Sequence, residues 1–138
     1  MSTIFSKIVS GDIPAYKVAE DDNYLAFLDV FPLTRGHVLV IPKKETDYIF
    51  DIEDDEYMNM WLFSKKVAKG IKAVFPCLKI GVAVVGLEVA HAHIHLVPLN
   101  KVSDMNFEKP KLSLLPEEMI KIALDIRLAI ENVDEVRK

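Results

Sequence analysis

The feature that most restricts the fold of this chain is a regular alternation of histidine and apolar residues that begins at His91. Successive side chains of a β-strand point to opposite faces, so a strand here would place His91, His93 and His95 on one face. The apolar residues between them would occupy the other face, where they can pack into a core. The stretch therefore predicts a strand that presents imidazole rings on one side and is anchored by the other.

The fourth histidine of the chain, His37, begins a second apolar run that ends at Pro42. The alternation predicts a strand over residues 37–42, with His37, Leu39 and Ile41 on one face. Two strands of this kind can bring all four histidines together. We therefore expect the functional site of this protein to be a cluster of these four histidines.

Length and composition exclude several classes of protein. A chain of 138 residues suits a single domain over 1–138 with its own core, and a formal net charge of −4 without a basic stripe disfavours nucleic-acid binding. The only cysteine, Cys77, allows neither an intrachain disulfide nor a cysteine-based zinc cluster and suits a reducing cytoplasm. The first residues lack a signal-peptide pattern, and no apolar run approaches ~20 residues, so neither secretion nor membrane insertion is expected.

Periodicity and turn residues predict the order of elements. They indicate a short helix capped by Ser2 or Thr3, strands at 16–19, 24–29 and 37–42, a helix over 53–75, strands at 78–85 and 91–99, and a helix from Pro116. This order predicts an α+β fold with a mainly antiparallel five-stranded sheet and helices on one face. Residues 100–115 are expected to form a loop. The last helix has an apolar stripe that can cover the sheet or contact a partner subunit: Met119, Ile122, Ile126, Ala129 and Val133.

The histidine cluster has two chemical interpretations besides a structural one. Burying three imidazoles side by side is costly without a function, because each neutral ring has two nitrogens to satisfy. A His-x-His pair with a third nitrogen can hold a catalytic zinc ion with an open position. Alternatively, one ring can attack phosphorus while the others hold phosphate oxygens and protonate the leaving group. Spacing alone leaves both interpretations open.

Residues 91–97 match the signature His-φ-His-φ-His-φ-φ, where φ is apolar, and the chain resembles the histidine triad (HIT) family of nucleotide hydrolases and transferases. Residues 4–8, 13–14, 26–30 and 37–43 resemble successive segments of the family in their usual order. The resemblance covers about residues 2–100, so a helix at about 116–135 would be an extension of the family core. It is strongest to the nucleoside phosphoramidate hydrolases, and it implies a HIT-like fold and a homodimer.

The resemblance also implies a role for each histidine. His93 corresponds to the nucleophile that attacks the α-phosphorus of a purine nucleotide and forms a transient nucleotidyl-histidine, from which water releases the monophosphate. His95 corresponds to a phosphate contact that assists leaving-group protonation, His91 to the residue whose carbonyl orients His93, and His37 to the residue that completes the cluster. The resemblance also implies the nucleotide-binding residues. Asp29 corresponds to the ribose contact. The base pocket corresponds to Phe5, Ile8, Phe27, Val30 and Leu39, and the approach to the phosphate to Gly86, Glu88 and Val89.

The chain also departs from the family pattern. The zinc-binding branch has cysteines where this chain carries Ile4 and Ser6–Lys7, so neither a metal nor another cofactor is expected. Residues 79–87 lack the family's Asn and Gln, which favours as an alternative a nucleotide-binding protein with little catalysis. Glu45 replaces a frequent histidine, and Leu99-Asn100 replace an arginine, which disfavours another alternative, a diadenosine-polyphosphate hydrolase. A His-ligated metalloenzyme is the remaining alternative.

Overall fold

A computed structural model describes residues 3–137 and shows five strands in one antiparallel sheet, in the order β1-β2-β3-β5-β4. The strands are β1 (Lys17–Glu20), β2 (Tyr24–Leu28), β3 (Val38–Pro42), β4 (Lys79–Ala83) and β5 (Ile94–Leu99). The α-helices are α1 (Ile4–Ser10), α2 (Asp54–Val74) and α3 (Pro116–Arg137), and two short 3-10 helices cover Ile49–Asp51 and Val102–Met105. The predicted α+β architecture is confirmed.

The sheet is covered by helices on both faces. α2 and α3 pack on one face, whereas Phe5 and Ile8 of α1 pack on the other, against Leu25, Phe27, Leu39 and Ile41. The prediction that the helices share one face is therefore wrong for α1. The physical reason is that β2 and β3 are apolar on both sides, with every residue buried, so that each face needs a cover.

In α2 and α3, the residues that are buried differ from the predicted ones by a small rotation about the helix axis. In the sequence, the apolar residues Trp61, Ala68 and Phe75 recur every seven positions and predict the buried face of α2. They lie at the edge of the core, and the buried residues are Met60, Phe63, Ser64, Val67, Gly70 and Ile71. α3 begins at Pro116, as predicted, and its stripe covers α2 and the sheet. Ala129 and Val133 are only half-buried, and the buried positions are Met119, Ile122, Ala123, Ile126 and Ile130.

The strand that carries the histidines begins at Ile94, three residues later than predicted. His91 and His93 precede it in a segment without regular secondary structure, in which the N–H of His91 donates to the Val89 carbonyl and that of Ala92 to the Thr46 carbonyl. The prediction of three histidines on one strand is therefore wrong for two of them. The apolar partners of the alternation, Ala92, Ile94 and Leu96, are nevertheless buried in the core on the α2 side.

Three further segments position the site. β3 begins at Val38, so His37 lies immediately before the strand. β4 spans only five residues and has β5 as its one neighbour in the sheet. The predicted loop at 100–115 contains the 3-10 helix Val102–Met105.

Within residues 3–137, no helix is both long enough and apolar enough to span a membrane.

Candidate active site

The four histidines converge beside the short ladder between β3 and β5, on the face of the sheet that α1 covers. None is more than 8% exposed. His95 lies in β5 opposite Leu39 of β3, and His37 immediately precedes β3. His91 and His93 reach the same place from the irregular segment before β5. The structure therefore brings together all four of the predicted catalytic residues.

The hydrogen bond of His93 determines which of its nitrogens is free. Its Nδ1 lies 2.7 Å from the backbone carbonyl oxygen of His91. A carbonyl only accepts hydrogen bonds, so Nδ1 carries the proton and the lone pair of the neutral ring is on Nε2. The ring edge-packs against Phe5, with 5.0 Å between the ring centroids. His93 is thus held with an unprotonated nitrogen that can act as a nucleophile.

The rings of His37 and His95 are hydrogen-bonded to each other. The N–H of Leu33 donates to Nδ1 of His37 at 3.0 Å, so His37 carries its proton on Nε2 and donates it to Nδ1 of His95 at 2.9 Å. His95 must then carry its own proton on Nε2. Burial lowers the pKa of His37 to about 3 and that of His95 to about 4. At neutral pH both rings are neutral, and His95 keeps one N–H donor that is not used by His37.

The side chain of His91 is held at both nitrogens. Nε2 donates to the carbonyl of Pro42 at 2.8 Å, and Nδ1 lies 3.0 Å from the hydroxyl oxygen of Thr3. Burial lowers the pKa of His91, which keeps the ring neutral. With both nitrogens occupied, the ring is a poor nucleophile, and the group that His91 offers to the site is its backbone carbonyl.

Asp29 lies beside the histidine pair at the end of β2. One carboxylate oxygen accepts from the N–H of Phe31 at 2.9 Å, and the other lies 3.6 Å from Nε2 of His37. Burial raises the pKa of its carboxyl group. Asp29, His37 and His95 offer ligand atoms within 4.8 Å of one another, a spacing that could suit a metal ion. Both nitrogens of His37 are already hydrogen-bonded, however, so a metal at this place would have to break one of these bonds.

Five predicted base-pocket or approach residues lie together beside the histidines. They form one apolar cluster on the α1 face, in which Val89 is partly buried and the others are buried: Phe5, Ile8, Phe27, Leu39 and Val89. Phe5 packs edge-to-face on Phe27 as well as on His93. The ring of His93 is therefore in direct contact with a largely buried apolar cluster.

The other three predicted nucleotide-binding residues lie further out. Val30 is 53% exposed. Gly86 has a positive φ of 71° and lines a groove on the α2 side, with Tyr48 and Trp61 among its other residues. Glu88 lies near enough to Asp29 for its negative charge to raise the pKa of that carboxyl group. Contacts of Val30, Gly86 and Glu88 with a nucleotide stay predictions.

Sequence reasoning missed residues that lie against the histidines. Phe107 packs on His95, with ring centroids 4.8 Å apart, and on His37 at 6.5 Å. The only sequence signal was an aromatic residue in a segment without periodicity. Thr3 was predicted as a helix cap, which is confirmed, but its bond to His91 spans 88 positions and has no local signal.

Known proteins match both the sequence and the structure. A family model described as "HIT domain" matches residues 10–102. The adenosine 5'-monophosphoramidase hnt1 of Schizosaccharomyces pombe is 35% identical over 133 residues, which cover 95% of this chain and 100% of that protein. An uncharacterized HIT-like protein of Borreliella burgdorferi is 34% identical over 92% of this chain and 97% of its own. The crystal structure of a Hit-like protein from Bartonella henselae superposes with a TM-score of 0.80 at 30% identity, covering 93% of this chain and 96% of that one.

Proposed function

The chain belongs to the HIT domain family, and on this premise we propose that it is a hydrolase of purine nucleoside phosphoramidates or related adenylated substrates. The bond cleaved is the one between the α-phosphorus and the leaving group. The observation that carries the proposal is the free Nε2 of His93, held beside the Nε2–H donor of His95. A relative that is named an adenosine 5'-monophosphoramidase supports the substrate class.

The reaction proceeds in two displacements. In the first, the lone pair of His93 Nε2 forms a bond to the α-phosphorus while the phosphorus–nitrogen bond breaks, and the amine leaves with a proton. In the second, water attacks the nucleotidyl-histidine, the phosphorus–His93 bond breaks, and a nucleoside monophosphate is released. The neutral imidazole of His93 is regenerated, so the enzyme is ready for the next turnover.

The neighbouring groups assist each displacement. The ring of His93 becomes positive as its bond to phosphorus forms, and the carbonyl of His91 stabilises this charge by accepting the Nδ1–H. His95 donates its Nε2–H to a phosphate oxygen. A bound anionic phosphate raises the pKa of His95, because an opposite charge favours the protonated ring. Protonation at Nδ1 breaks the hydrogen bond from His37, whose Nε2 lies 3.6 Å from the carboxylate of Asp29, and His95 can then supply the proton of the leaving amine from Nε2. His37 fixes the orientation of His95.

The rest of the substrate is bound on either side of the histidines. Asp29 accepts hydrogen bonds from the ribose hydroxyls, and the apolar cluster around Phe5 receives the base. Gly86, Glu88 and Val89 line the approach to the phosphate. The segment that carries Phe107 closes the side of the site next to His95.

The deciding experiment compares the unmodified protein with His93→Ala on an adenosine phosphoramidate, by measuring the release of the monophosphate. We expect the activity to fall by at least about 10³-fold, because no neighbouring group can replace an in-line nucleophile. Binding of the monophosphate, measured on the same variant, should persist, which separates lost chemistry from lost folding. Equal activity of the two proteins would contradict the mechanism.

The same assay distinguishes the alternatives. Turnover of a diadenosine polyphosphate but of no phosphoramidate would favour the polyphosphate hydrolase. Monophosphate binding without turnover of either substrate would favour a binding protein. Stoichiometric zinc after purification without a histidine tag, together with activity lost to a chelator, would favour a metal site at Asp29, His37 and His95.

We also propose that the protein is one cytoplasmic domain over residues 1–138 and forms a homodimer. Among residues 3–137, no strand lies beside the outer edge of β4, and the apolar side chains at and next to this edge are exposed: Leu78, Val82 and Val85. An unpaired apolar edge is a natural place for strand pairing with a second copy. Sedimentation should show a dimer that Val82→Lys converts to a monomer, and a monomeric unmodified protein would contradict the proposal.

A further inference from the structure

The segment that carries the proposed nucleophile is not held by the sheet. β5 begins after His93, and its pairing with β3 ends at Ile94 opposite Val40. Residues outside a ladder need other partners for their backbone groups, and a nucleophile must be placed accurately. The contacts that replace the ladder are therefore part of the site.

The first set of contacts comes from the chain that follows β3. The carbonyl of Pro42 accepts from Nε2 of His91 at 2.8 Å, and the carbonyl of Thr46 accepts from the N–H of Ala92 at 2.6 Å. These two bonds hold the segment from one side. The residues between the two carbonyls include Glu45.

The second set comes from the beginning of α1. Because Nε2 of His91 is the donor to Pro42, Nδ1 of the neutral ring can only accept, so the hydroxyl of Thr3 donates to it at 3.0 Å. The same hydroxyl oxygen accepts from the N–H of Ser6 at 3.0 Å, which is the N-cap bond of α1. The cap of α1 and the ring of His91 therefore share one hydroxyl group.

Glu45 connects the two sets of contacts. Its Oε1 accepts from the N–H of Thr3 at 3.0 Å and from the hydroxyl of Ser6 at 2.6 Å, and both bonds lower the pKa of its carboxyl group. The first turn of α1 contains no acidic residue of its own. A carboxylate is favourable at a helix N-terminus, so Glu45 supplies from 39 or more positions away the charge that this turn lacks.

From this arrangement we propose that Glu45 is a positioning residue for the hydrolysis, acting through Thr3 and Ser6 on His91 and thereby on His93. The inference rests on the proposed function. Glu45 fixes the start of α1, the Thr3 hydroxyl fixes the ring of His91, and the carbonyl of His91 fixes the ring of His93. The hydroxyl of Ser6 donates to Glu45. The hydroxyl oxygen of Thr3 lies 3.2 Å from that of Ser6 and 3.0 Å from Nδ1 of His91, and its proton goes to the nearer Nδ1, which needs a donor.

Two pairs of substitutions test the chain of contacts. Glu45→Ala removes the acceptor and should lower kcat by about 10- to 100-fold, the cost of misplacing a reacting group by about 1 Å. Glu45→Gln keeps an oxygen for Thr3 and Ser6 and should stay within about twofold of the unmodified protein. Thr3→Val should lower kcat as Glu45→Ala does, and Thr3→Ser should restore it. The double variant with Glu45→Ala and Thr3→Val should be no slower than Thr3→Val alone, since both act through one path.

A matched control separates this role from general effects of surface charge. Glu20→Ala removes another exposed carboxylate, one that pairs with Lys43 at 2.8 Å beside the same segment and contacts neither Thr3 nor Ser6. We expect it to leave kcat and KM unchanged. A merely structural role of Glu45 in docking α1 would raise KM through the apolar cluster of Phe5 and leave kcat intact, and that outcome would overturn the proposal.

The position of His93 can also be measured without turnover. The Nδ1–H resonance of His93 in nuclear magnetic resonance spectra should shift in Glu45→Ala and Thr3→Val and stay in place in Glu45→Gln and Glu20→Ala. An unmoved resonance in Glu45→Ala, or Glu45→Gln as impaired as Glu45→Ala, would overturn the positioning role. If the unmodified protein cleaves no phosphoramidate, the proposed function fails, and the resonance still decides whether Glu45 positions His93.

Discussion

The backbone carbonyl of His91 accepts the Nδ1–H of His93 at 2.7 Å, which gives His93 a tautomer different from that of its three neighbours. The partners of His37 and His91 require their protons on Nε2, and His95 follows His37. With all four rings neutral, nitrogen-15 spectra of the ligand-free protein should therefore show three Nε2–H rings and one Nδ1–H ring. His93→Gln should remove the Nδ1–H set alone.

A spectrum with two or more Nδ1–H rings would contradict these tautomers. It would mean that the pair of His37 and His95 is bonded in the opposite sense, with the proton between them carried by Nδ1 of His95. The Nε2 of His95 would then be an acceptor, and the proposed contact with a phosphate oxygen would have no donor.

Sequence patterns predicted those parts of the fold that depend on local periodicity. The alternation of apolar residues around Ile94 and the start of α3 at Pro116 need only the side chains of one segment. The side of the sheet on which α1 packs could not be predicted in the same way. It depends on strands that are buried on both faces, and such strands have no alternation that marks an exposed side.

The sequence indicated which residues form the site, but it did not indicate most of the hydrogen bonds between them. The burial of the four histidines follows from their place within apolar runs. The first residue of β5 depends on the register with β3 and on the carbonyl of Thr46, and neither is visible in the histidine alternation. The contact of Glu45 with Thr3 and Ser6 joins segments about 40 positions apart, and nothing in either segment indicates the other.

Asp29 offers a test of ribose recognition. Asp29→Asn keeps an oxygen for the N–H of Phe31 and loses the charged acceptor, so kcat/KM on a ribonucleoside phosphoramidate should fall roughly 10- to 100-fold, the value of a hydrogen bond to a charged group. The unmodified protein should lose a similar factor on the 2′-deoxy substrate. Steady-state kinetics give kcat/KM for the unmodified protein and for Asp29→Asn on each of the two substrates.

The two losses at Asp29 should not add, because both remove the same hydrogen bond. If Asp29→Asn and the deoxy substrate each reduce kcat/KM and the combination multiplies the two factors, Asp29 does not contact that hydroxyl. Asp22→Asn, a change of an exposed aspartate in the turn between β1 and β2, is the control that should leave all values unchanged.

The lowered pKa values of His37 and His95 predict a loss of stability in acid. Their folded values of about 3 and 4 lie below the value of 6.5 for a free histidine, so the unfolded chain binds more protons between these limits. The contribution of the two rings to stability is complete above about pH 6.5 and is lost as the pH falls towards 4 for His95 and towards 3 for His37. Each ring contributes a slope of up to about 1.4 kcal/mol per pH unit, measurable by urea unfolding at several pH values.

A variant without one of these rings supplies the comparison. His37→Gln lowers stability at neutral pH through its lost bonds, but its unfolding free energy should fall less steeply with acid than that of the unmodified protein. The raised pKa of Asp29 acts in the opposite direction in both proteins, since its folded carboxyl group retains a proton to higher pH. Parallel pH curves for the two proteins would show that His37 is not held neutral.

Gly70 tests the contact between α2 and α3, where helix propensity and packing oppose each other. Alanine is better than glycine in a helix by about 1 kcal/mol, but a Cβ at Gly70 would overlap Cγ1 of Ile130. Overpacking of this kind costs about 1–3 kcal/mol, so Gly70→Ala should lower the free energy of unfolding, as measured with urea. In an Ile130→Ala background the overlapping atom is gone, and the same change should be neutral or stabilising. Stabilisation by Gly70→Ala in the unmodified chain would contradict this close contact and mean that Ile130 leaves room for a Cβ at Gly70.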